Sequence, residues 1–233
     1  MVKSLIMALL HLKSSIMLLV FLVLCSTLVY GQKGKAEGLK EGDIIFQKLP
    51  CGGLCDAIIA TTPCKPGMAF NHCGIIHYND GAPFVIEAIG KAVKTTSVVD
   101  FLKRDKDKQI FLGRIKSVKA GIDSLAMKRA VNKALRYVGV PYDDVFLPGD
   151  TALYCSELVW ECYRNSTSEN VFELKPMTFK SPESGTTFPA WVSYYQELSR
   201  PIPEGVPGIN PCAIANSDIV EFIVLEKNEY LNK

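Results

Sequence analysis

The chain has 233 residues, 48% of them hydrophobic and 21% charged, which is typical of a folded domain with a sizeable core. Its formal net charge is only +2, and acidic and basic residues are mixed, as in residues 103–108. Because no basic stripe is present, nucleic acid is not an expected partner, and the mixed run indicates a solvated loop or helix end.

The first 31 residues have the features of an export signal. Lys3 and Lys13 are the only charged residues there, residues 16–24 are an unbroken apolar run, and residues 29–31 resemble a small-residue cleavage site. The apolar run is short for a membrane span, which favours a cleaved signal peptide over a retained anchor. The sequence therefore predicts an exported protein, periplasmic or extracellular in the bacterial cell envelope, with no stable membrane span after cleavage.

The remainder begins with a flexible, glycine- and lysine-rich lead at residues 32–40, followed by one domain at residues 41–233. A short strand is predicted at residues 41–46. A short helix is predicted at residues 56–61, with Asp56 as its N-terminal cap.

A β-hairpin is predicted over residues 69–89, with Asn79-Asp80-Gly81 at its turn. Side chains alternate along a strand, so His72 and His77 point to opposite faces. A loop with an even number of residues places Glu87 on the His72 face, directly opposite His72 for loop residues 79–80 and diagonally for 80–81. A three-residue loop would break this arrangement. The even loop makes His72 the stronger candidate for a general base, with a merely structural His–Glu pair as the alternative.

Two further elements precede the most informative stretch. A strand is predicted at residues 109–115, and an amphipathic helix at residues 123–138, ended by Gly139. The apolar positions of the helix are expected to face the core; they are Ile122, Leu125, Ala126, Ala130, Ala134 and Val138.

Cys155 begins an apolar i, i+3, i+4, i+7 pattern that predicts a helix, with Asp150 or Thr151 as its cap and an end near Asn165. A thiol in the first helical turn is favoured as the thiolate, which is the form that attacks a carbonyl carbon. An inert core cysteine is the alternative for this stretch alone. Together, Cys155, His72 and Glu87 supply a nucleophile, a proton carrier and a group that orients the carrier.

The segment after Asn165 is rich in proline and polar turn residues around a short helix at residues 189–198, and an apolar strand at 219–225 closes the chain. Long irregular connections are commonly lids or binding loops.

Eight cysteines suit an exported protein with disulfides. One or two bridges are expected near Cys51 to Cys64, with Cys162 as an unpaired core residue. A metal or redox site is the alternative for a set of five residues, but their spacings match no standard zinc pattern; they are Cys51, Cys55, Cys64, Cys73 and His77. No metal and no cofactor are expected.

Five stretches in this order resemble the successive blocks of the YiiX/YebB-type permuted papain-like amidases, relatives of the NlpC-type peptidoglycan hydrolases. The resemblance covers residues 41–164 and, more loosely, the C-terminal strand. The blocks are Gly42-Asp43-Ile44-Ile45-Phe46, His72-Cys73-Gly74-Ile75, Val85-Ile86-Glu87-Ala88, Gly139-Val140-Pro141-Tyr142-Asp143 and Tyr154-Cys155-Ser156-Glu157-Leu158-Val159.

The resemblance implies an α+β, papain-like, circularly permuted fold in which an antiparallel sheet or small barrel packs against the nucleophile-bearing helix. It implies Cys155 as nucleophile, His72 as base and Glu87 as orienting residue. Cys73 departs from the pattern and is expected to face away from the site. Further residues expected to line the site are Tyr142, Tyr154 and Asp43.

These parts predict a cysteine hydrolase that cleaves an amide bond through a thioester acyl-enzyme. The expected substrate is a small amide, peptide or acyl compound of cell-envelope origin. The alternatives are a lipid ester hydrolase or acyltransferase of the same superfamily, which a hydrophobic acyl tunnel would favour, and a binding protein without turnover.

Overall fold

A computed structural model describes residues 38–116, 124–149, 151–165 and 167–231. The predicted signal peptide and most of the predicted flexible lead lie outside these residues. Among the residues described, no helix combines the length and hydropathy that a membrane crossing requires.

The centre of the fold is an open six-stranded sheet in which every neighbouring pair is antiparallel, in the order β4-β3-β2-β1-β5-β8. A separate two-stranded sheet pairs β6 with β7. The strands are β1 (Ile44–Gln47), β2 (His72–Asn79), β3 (Ala82–Ile89), β4 (Ala92–Ser97), β5 (Gln109–Ile115), β6 (Lys175–Pro176), β7 (Pro207–Gly208) and β8 (Val220–Glu226).

Helices cover both faces of the larger sheet, and α4 packs against β2 and β3. They are α1 (Gly53–Thr61), α2 (Val98–Leu102), α3 (Ser124–Arg136), α4 (Cys155–Cys162), α5 (Pro189–Glu197), α6 (Pro211–Asn216) and α7 (Asn228–Leu231). The predicted α+β class, with an antiparallel sheet against the helix that begins at Cys155, is confirmed.

The sheet separates two cores because side chains alternate along each strand. Ile44 and Phe46 of β1 join the core that contains α3 and α4, whereas Ile45 joins a second core with Phe101 and Leu102 of α2. Burial on both faces explains why the first three residues of β1 are all apolar and do not alternate with polar ones.

The β2–β3 hairpin has the two-residue loop Asp80-Gly81, since Asn79 pairs with Ala82. Both loop residues have positive φ, 48° and 80°, as the tightest hairpin turns require. This is the even loop that sets Glu87 diagonally across from His72, so that prediction is confirmed.

The prediction for α3 is wrong at two points: Leu125, near the start of the helix, is not buried, and the helix does not extend to Val138. Leu125 is 58% exposed and Val138 is 45% exposed, while Ala126, Ala130 and Ala134 are buried. At 100° per residue, Leu125 lies almost opposite the middle of the buried alanine stripe, and the helix ends at Arg136, before Val138. Likewise α1 begins at Gly53, so Asp56 lies in its first turn and does not cap it.

Four cysteines form two disulfides, Cys51–Cys55 and Cys64–Cys212. The first lies in the predicted region, and the second ties that region to α6, 148 residues away in sequence. Cysteines in disulfides are not available as metal ligands, which removes most of the alternative metal cluster. Cys162 is unpaired and buried, as predicted.

Candidate active site

Cys155 is the first residue of α4, and the loop before it is held by the helix itself. The buried carboxylate of Glu157 accepts hydrogen bonds from the backbone N–H groups of Gly149 (2.9 Å) and Tyr154 (3.4 Å). The predicted cap is wrong at Thr151, because the chain is still extended at Tyr154; Asp150 lies outside the described residues. Cys155 therefore sits where backbone N–H groups have no carbonyl partner within the helix.

The two neighbours of Cys155 fix it against a distant segment. The hydroxyl of Tyr154 accepts a hydrogen bond from the N–H of Ile209 (3.2 Å), and the hydroxyl of Ser156 donates to the carbonyl of Ile209 (3.0 Å). Because both residues are buried, these bonds set the orientation of the first turn of α4.

His72 begins β2 and is bonded to Glu87 of β3, with 2.6 Å between His72 Nε2 and a Glu87 carboxylate oxygen. The hairpin register sets Gly74 opposite Glu87. A Cβ at position 74 would lie 2.9 Å from the carbonyl oxygen of Ile86 and 3.2 Å from the Glu87 Cβ. The absence of a side chain there leaves room for Glu87 to reach diagonally to His72.

Arg104 is a second partner of Glu87, and sequence reasoning missed it. One of its terminal nitrogens lies 2.8 Å from each carboxylate oxygen of Glu87, and its guanidinium lies over the ring of Phe101, 4.6 Å from the centroid. Arg104 belongs to the mixed-charge run that predicts a solvated loop, and nothing in that local pattern indicates a buried carboxylate as its partner.

The pKa values of His72 and Glu87 move in the directions expected for an ion pair. Burial by itself raises the pKa of Glu87, but hydrogen bonds from His72 and Arg104 outweigh it and lower the pKa to about 2. Burial lowers the pKa of His72, but hydrogen bonds to Cys155 and Glu87 outweigh it and raise the pKa to about 9. His72 is therefore protonated, and Glu87 ionised, at neutral pH.

The prediction that Cys73 faces away from the site is wrong. Cys73 does lie on the opposite face of β2 from His72, but that is the face on which α4 packs. The pKa of Cys155 is held well below its ordinary value, and the largest cause is the Cys73 thiol acting as a hydrogen-bond donor; burial opposes this lowering, and His72 adds to it. Burial and Cys155 raise the pKa of Cys73, so Cys73 remains the thiol that donates.

His72 reaches Cys155 from the start of β2, so the structure brings Cys155, His72 and Glu87 together. Tyr142 and Tyr154 line a cavity that opens at Cys155. Asp43 is not part of this group. Its carboxylate binds Arg114 at 2.7–2.8 Å. Asp43 immediately precedes β1 and is four residues from Gln47, the strand partner of His72, which is roughly 13 Å for an extended chain.

A buried thiol at a helix N-terminus, with a pKa lowered by a neighbouring imidazole that a carboxylate orients, is the arrangement of a papain-like cysteine enzyme. Residues 38–224 match the family model of the permuted papain-like amidase enzymes, the YaeF/YiiX or C92 family. The chain belongs to this family.

Two relatives agree with that assignment. The uncharacterized protein YiiX of Escherichia coli (strain K12) is 32% identical over 148 residues, which is 62% of this chain and 68% of YiiX. The crystal structure of YiiX from Escherichia coli O157:H7 superimposes with a TM-score of 0.65 at 25% identity, covering 81% of this chain and 97% of that one.

YiiX from Escherichia coli O157:H7 is described as a metalloprotein. The described part of this chain does not fit a metal ion: it contains no group of three or more His, Cys, Asp or Glu side chains placed to hold one. The carboxylate of Glu87, which binds His72, already has both oxygens bound by Arg104 and one by His72.

Proposed function

We propose that this chain is an exported cysteine hydrolase that cleaves an amide bond, in a peptide or an acyl-amino acid, through a thioester on Cys155. The observation that carries the proposal is the position of His72 between Glu87 and Cys155. Its Nε2 is bound to Glu87, which leaves Nδ1 as the ring nitrogen available to Cys155. Membership of an amidase family supports the reaction class.

The opposite pKa shifts of Cys155 and His72 favour a thiolate–imidazolium pair as the resting state. The thiolate attacks the carbonyl carbon, and the oxygen takes up the negative charge. The backbone N–H of Cys155 is placed at the helix N-terminus to donate to that oxygen, and one such donor is typically worth about 10²–10³ in rate.

Collapse of this intermediate breaks the bond to the leaving group, which takes the proton from His72 and departs as the neutral amine. The acyl group remains on Cys155 as a thioester. Neutral His72 then removes a proton from water, and the resulting hydroxide attacks the thioester carbonyl. Release of the acid regenerates the thiolate beside protonated His72. Glu87 holds the ring in one orientation in both halves of the cycle.

The test is alkylation by iodoacetamide followed by intact mass, across pH 5–9, on residues 32–233 and on the Cys155→Ser and His72→Ala variants. We expect one label on the parent protein at mildly acidic pH, no label on Cys155→Ser, and slower labelling of His72→Ala. Cys162→Ser is the matched control and should label as the parent does, because burial raises the pKa of Cys162. Labelling that is absent, or that follows ordinary thiol pH dependence, would leave the non-catalytic binding protein as the better account.

Export is part of the proposal, and the two disulfides support it because such bonds persist in oxidising compartments. N-terminal sequencing of the protein from a periplasmic or culture fraction is expected to begin at Gln32. Recovery in the cytoplasm with Met1 retained would contradict export.

A lipid ester hydrolase or acyltransferase is the second candidate, and the cavity beside Cys155 favours it. The same thioester would form on Cys155; a lipid ester hydrolase would still pass the acyl group to water, whereas an acyltransferase would pass it to an amine or alcohol. Mass analysis of the products identifies transfer by an acylated acceptor, and assays of matched amide and ester substrates separate the two hydrolases.

A further inference from the structure

A cavity of about 180 Å³ opens at Cys155, on the side of α4 that faces the C-terminal segments. Its walls come from elements far apart in sequence: α1, the loop before α4, β6, β7, α5 and α6. The side chains that give it its character are apolar or aromatic; they are Ile58, Tyr142, Phe146, Met177, Phe179 and Trp191.

Most polar side chains of the lining are already used within the protein. Ser156 donates to the carbonyl of Ile209, the Asn71 amide exchanges two hydrogen bonds with the backbone of Leu49, and the Asn210 oxygen accepts from the N–H of Ala213. The hydroxyls of Thr61, the last residue of α1, and of Thr62, which follows it, donate to carbonyls of that helix. The indole N–H of Trp191 is buried and has no partner among the described residues, so it could meet at most one acceptor. The backbone of a peptide chain carries an N–H and a C=O group at nearly every residue, and leaving most of these unpaired has a cost that a hydrocarbon does not incur.

One wall of the cavity consists of closely packed aromatic rings, and the opposite wall contains a flexible methionine side chain. Phe146 contacts Tyr154 and Trp191 edge to face, with ring centroids 5.5 Å and 5.8 Å apart. On the other side, the thioether of Met177 lies against Gly208, where any Cβ would collide with it. Methionine adapts readily to ligands of different shape, so the wall at β6–β7 can accommodate chains of different length.

The position of His72 decides which part of a substrate enters the cavity. The leaving group must collect its proton from His72, so it lies on the His72 side of Cys155. Cys155 lines the cavity, whereas His72 and Glu87 do not. The cavity is therefore on the acyl side of the scissile bond.

We propose that the acyl part of the substrate is an apolar group, a straight-chain or aryl acyl, which the cavity binds while Cys155 attacks its carbonyl. This inference rests on the proposed thioester mechanism and narrows its substrate class. It applies to amides and esters alike, because it concerns only the half of the substrate that remains on Cys155.

The test uses p-nitrophenyl esters that share one leaving group and differ in the acyl chain, from acetyl to dodecanoyl. We expect kcat/KM to rise about fourfold per added methylene until the cavity is filled, which is the fold-change that burial of one methylene gives. A value that is flat or falls from acetyl onward would overturn the acyl-pocket inference and leave the hydrolase proposal standing. Absence of turnover for every ester, acetyl included, would count against the hydrolase proposal itself.

A matched pair of variants on α1 tests the location. Ile58 and Ile59 are neighbours, both are half-buried, and only Ile58 lines this cavity. Ile58→Trp is expected to lower the octanoyl-to-acetyl ratio of kcat/KM at least tenfold, whereas Ile59→Trp should leave that ratio unchanged. Equal effects of the two variants would contradict the assignment.

Binding without turnover gives a second readout if Ile58→Trp does not fold. With Cys155→Ser, calorimetric titration is expected to show saturable binding of octanoate and none of acetate. Failure of octanoate to bind, together with a flat ester series, would overturn the inference regardless of the variant.

Discussion

Cys155 has different environments on its two sides. On one side stand His72, Glu87 and Arg104, three ionisable groups joined by hydrogen bonds of 2.6–2.8 Å. On the other side is the cavity, whose wall is mainly aromatic and aliphatic. The charged side is assembled from residues 72–104, whereas the cavity lining extends from residue 58 to residue 213.

The difference indicates a separation of chemistry from substrate choice. A change on the charged side alters the proton carrier, which every substrate needs, so it should affect short and long acyl groups equally. A change in the cavity should alter only the ratio between them, as for Ile58→Trp. Each variant below is therefore to be assayed with both an acetyl and an octanoyl ester.

The larger effect is expected for Arg104→Met, which keeps an apolar stem over Phe101 but removes the charge that holds Glu87. Misplacement of Glu87 and His72 should lower kcat roughly 10- to 100-fold for both esters, with little change in KM. Arg136→Met is the control, since Arg136 is exposed at the end of α3 and makes only a backbone contact. A selective loss for the octanoyl ester would contradict the separation of the two sides.

The Arg104→Met variant should also change how the stability of the protein depends on pH. The pKa of Glu87 is about 2 when folded, against an ordinary 4.5, so its stabilising contribution, about 3 kcal/mol, is complete above pH 4.5 and is lost as the pH falls to 2. Removing Arg104 raises the folded-state pKa of Glu87, so the contribution is smaller; its loss still begins near pH 4.5 but is complete at a higher pH than in the parent. Thermal unfolding from pH 2 to 7 is expected to show the gap between parent and variant closing at low pH; a constant gap would indicate a packing defect only.

The smaller effect is expected for Cys73→Ala. Without the Cys73 thiol as donor, the pKa of Cys155 rises, because that hydrogen bond is the largest cause of its lowering. Iodoacetamide labelling should slow severalfold at mildly acidic pH and converge with the parent rate at alkaline pH, where both proteins carry the thiolate. Cys73→Ser, which retains a hydroxyl donor, should fall between the two.

Cys162→Ala is the control for Cys73→Ala. The variant removes a buried free thiol from the last residue of the same helix, α4. The Cys162 thiol is not among the causes that lower the pKa of Cys155. Identical labelling curves for the Cys73→Ala and parent proteins would show that the thiol of Cys73 does not tune Cys155.

The predictions that succeeded rest on local chemistry. The Asn79-Asp80-Gly81 turn permits the two-residue loop that the structure has, and strand alternation then places Glu87 on the His72 face. The prediction for Cys73 correctly placed it on the face of β2 opposite to His72. It failed because tertiary packing decides on which face of β2 the helix α4 lies, and α4 lies on the Cys73 face. The family blocks led to Asp43 by position alone, and its partner is Arg114, 71 residues away.

The sequence by itself determined the hairpin that pairs His72 with Glu87 and a helix that begins near Cys155, because turn residues and apolar spacing act over a few residues. It indicated the α+β class through its resemblance to a known family. Only the tertiary structure decided that Arg104 holds Glu87, that Cys73 lowers the pKa of Cys155, and that residues 175–213 close a cavity beside the thiol. Those contacts join segments that are far apart in the chain, so no regular spacing of residues in the sequence indicates them. Long-range packing, and not local spacing, sets which side chains meet at the site.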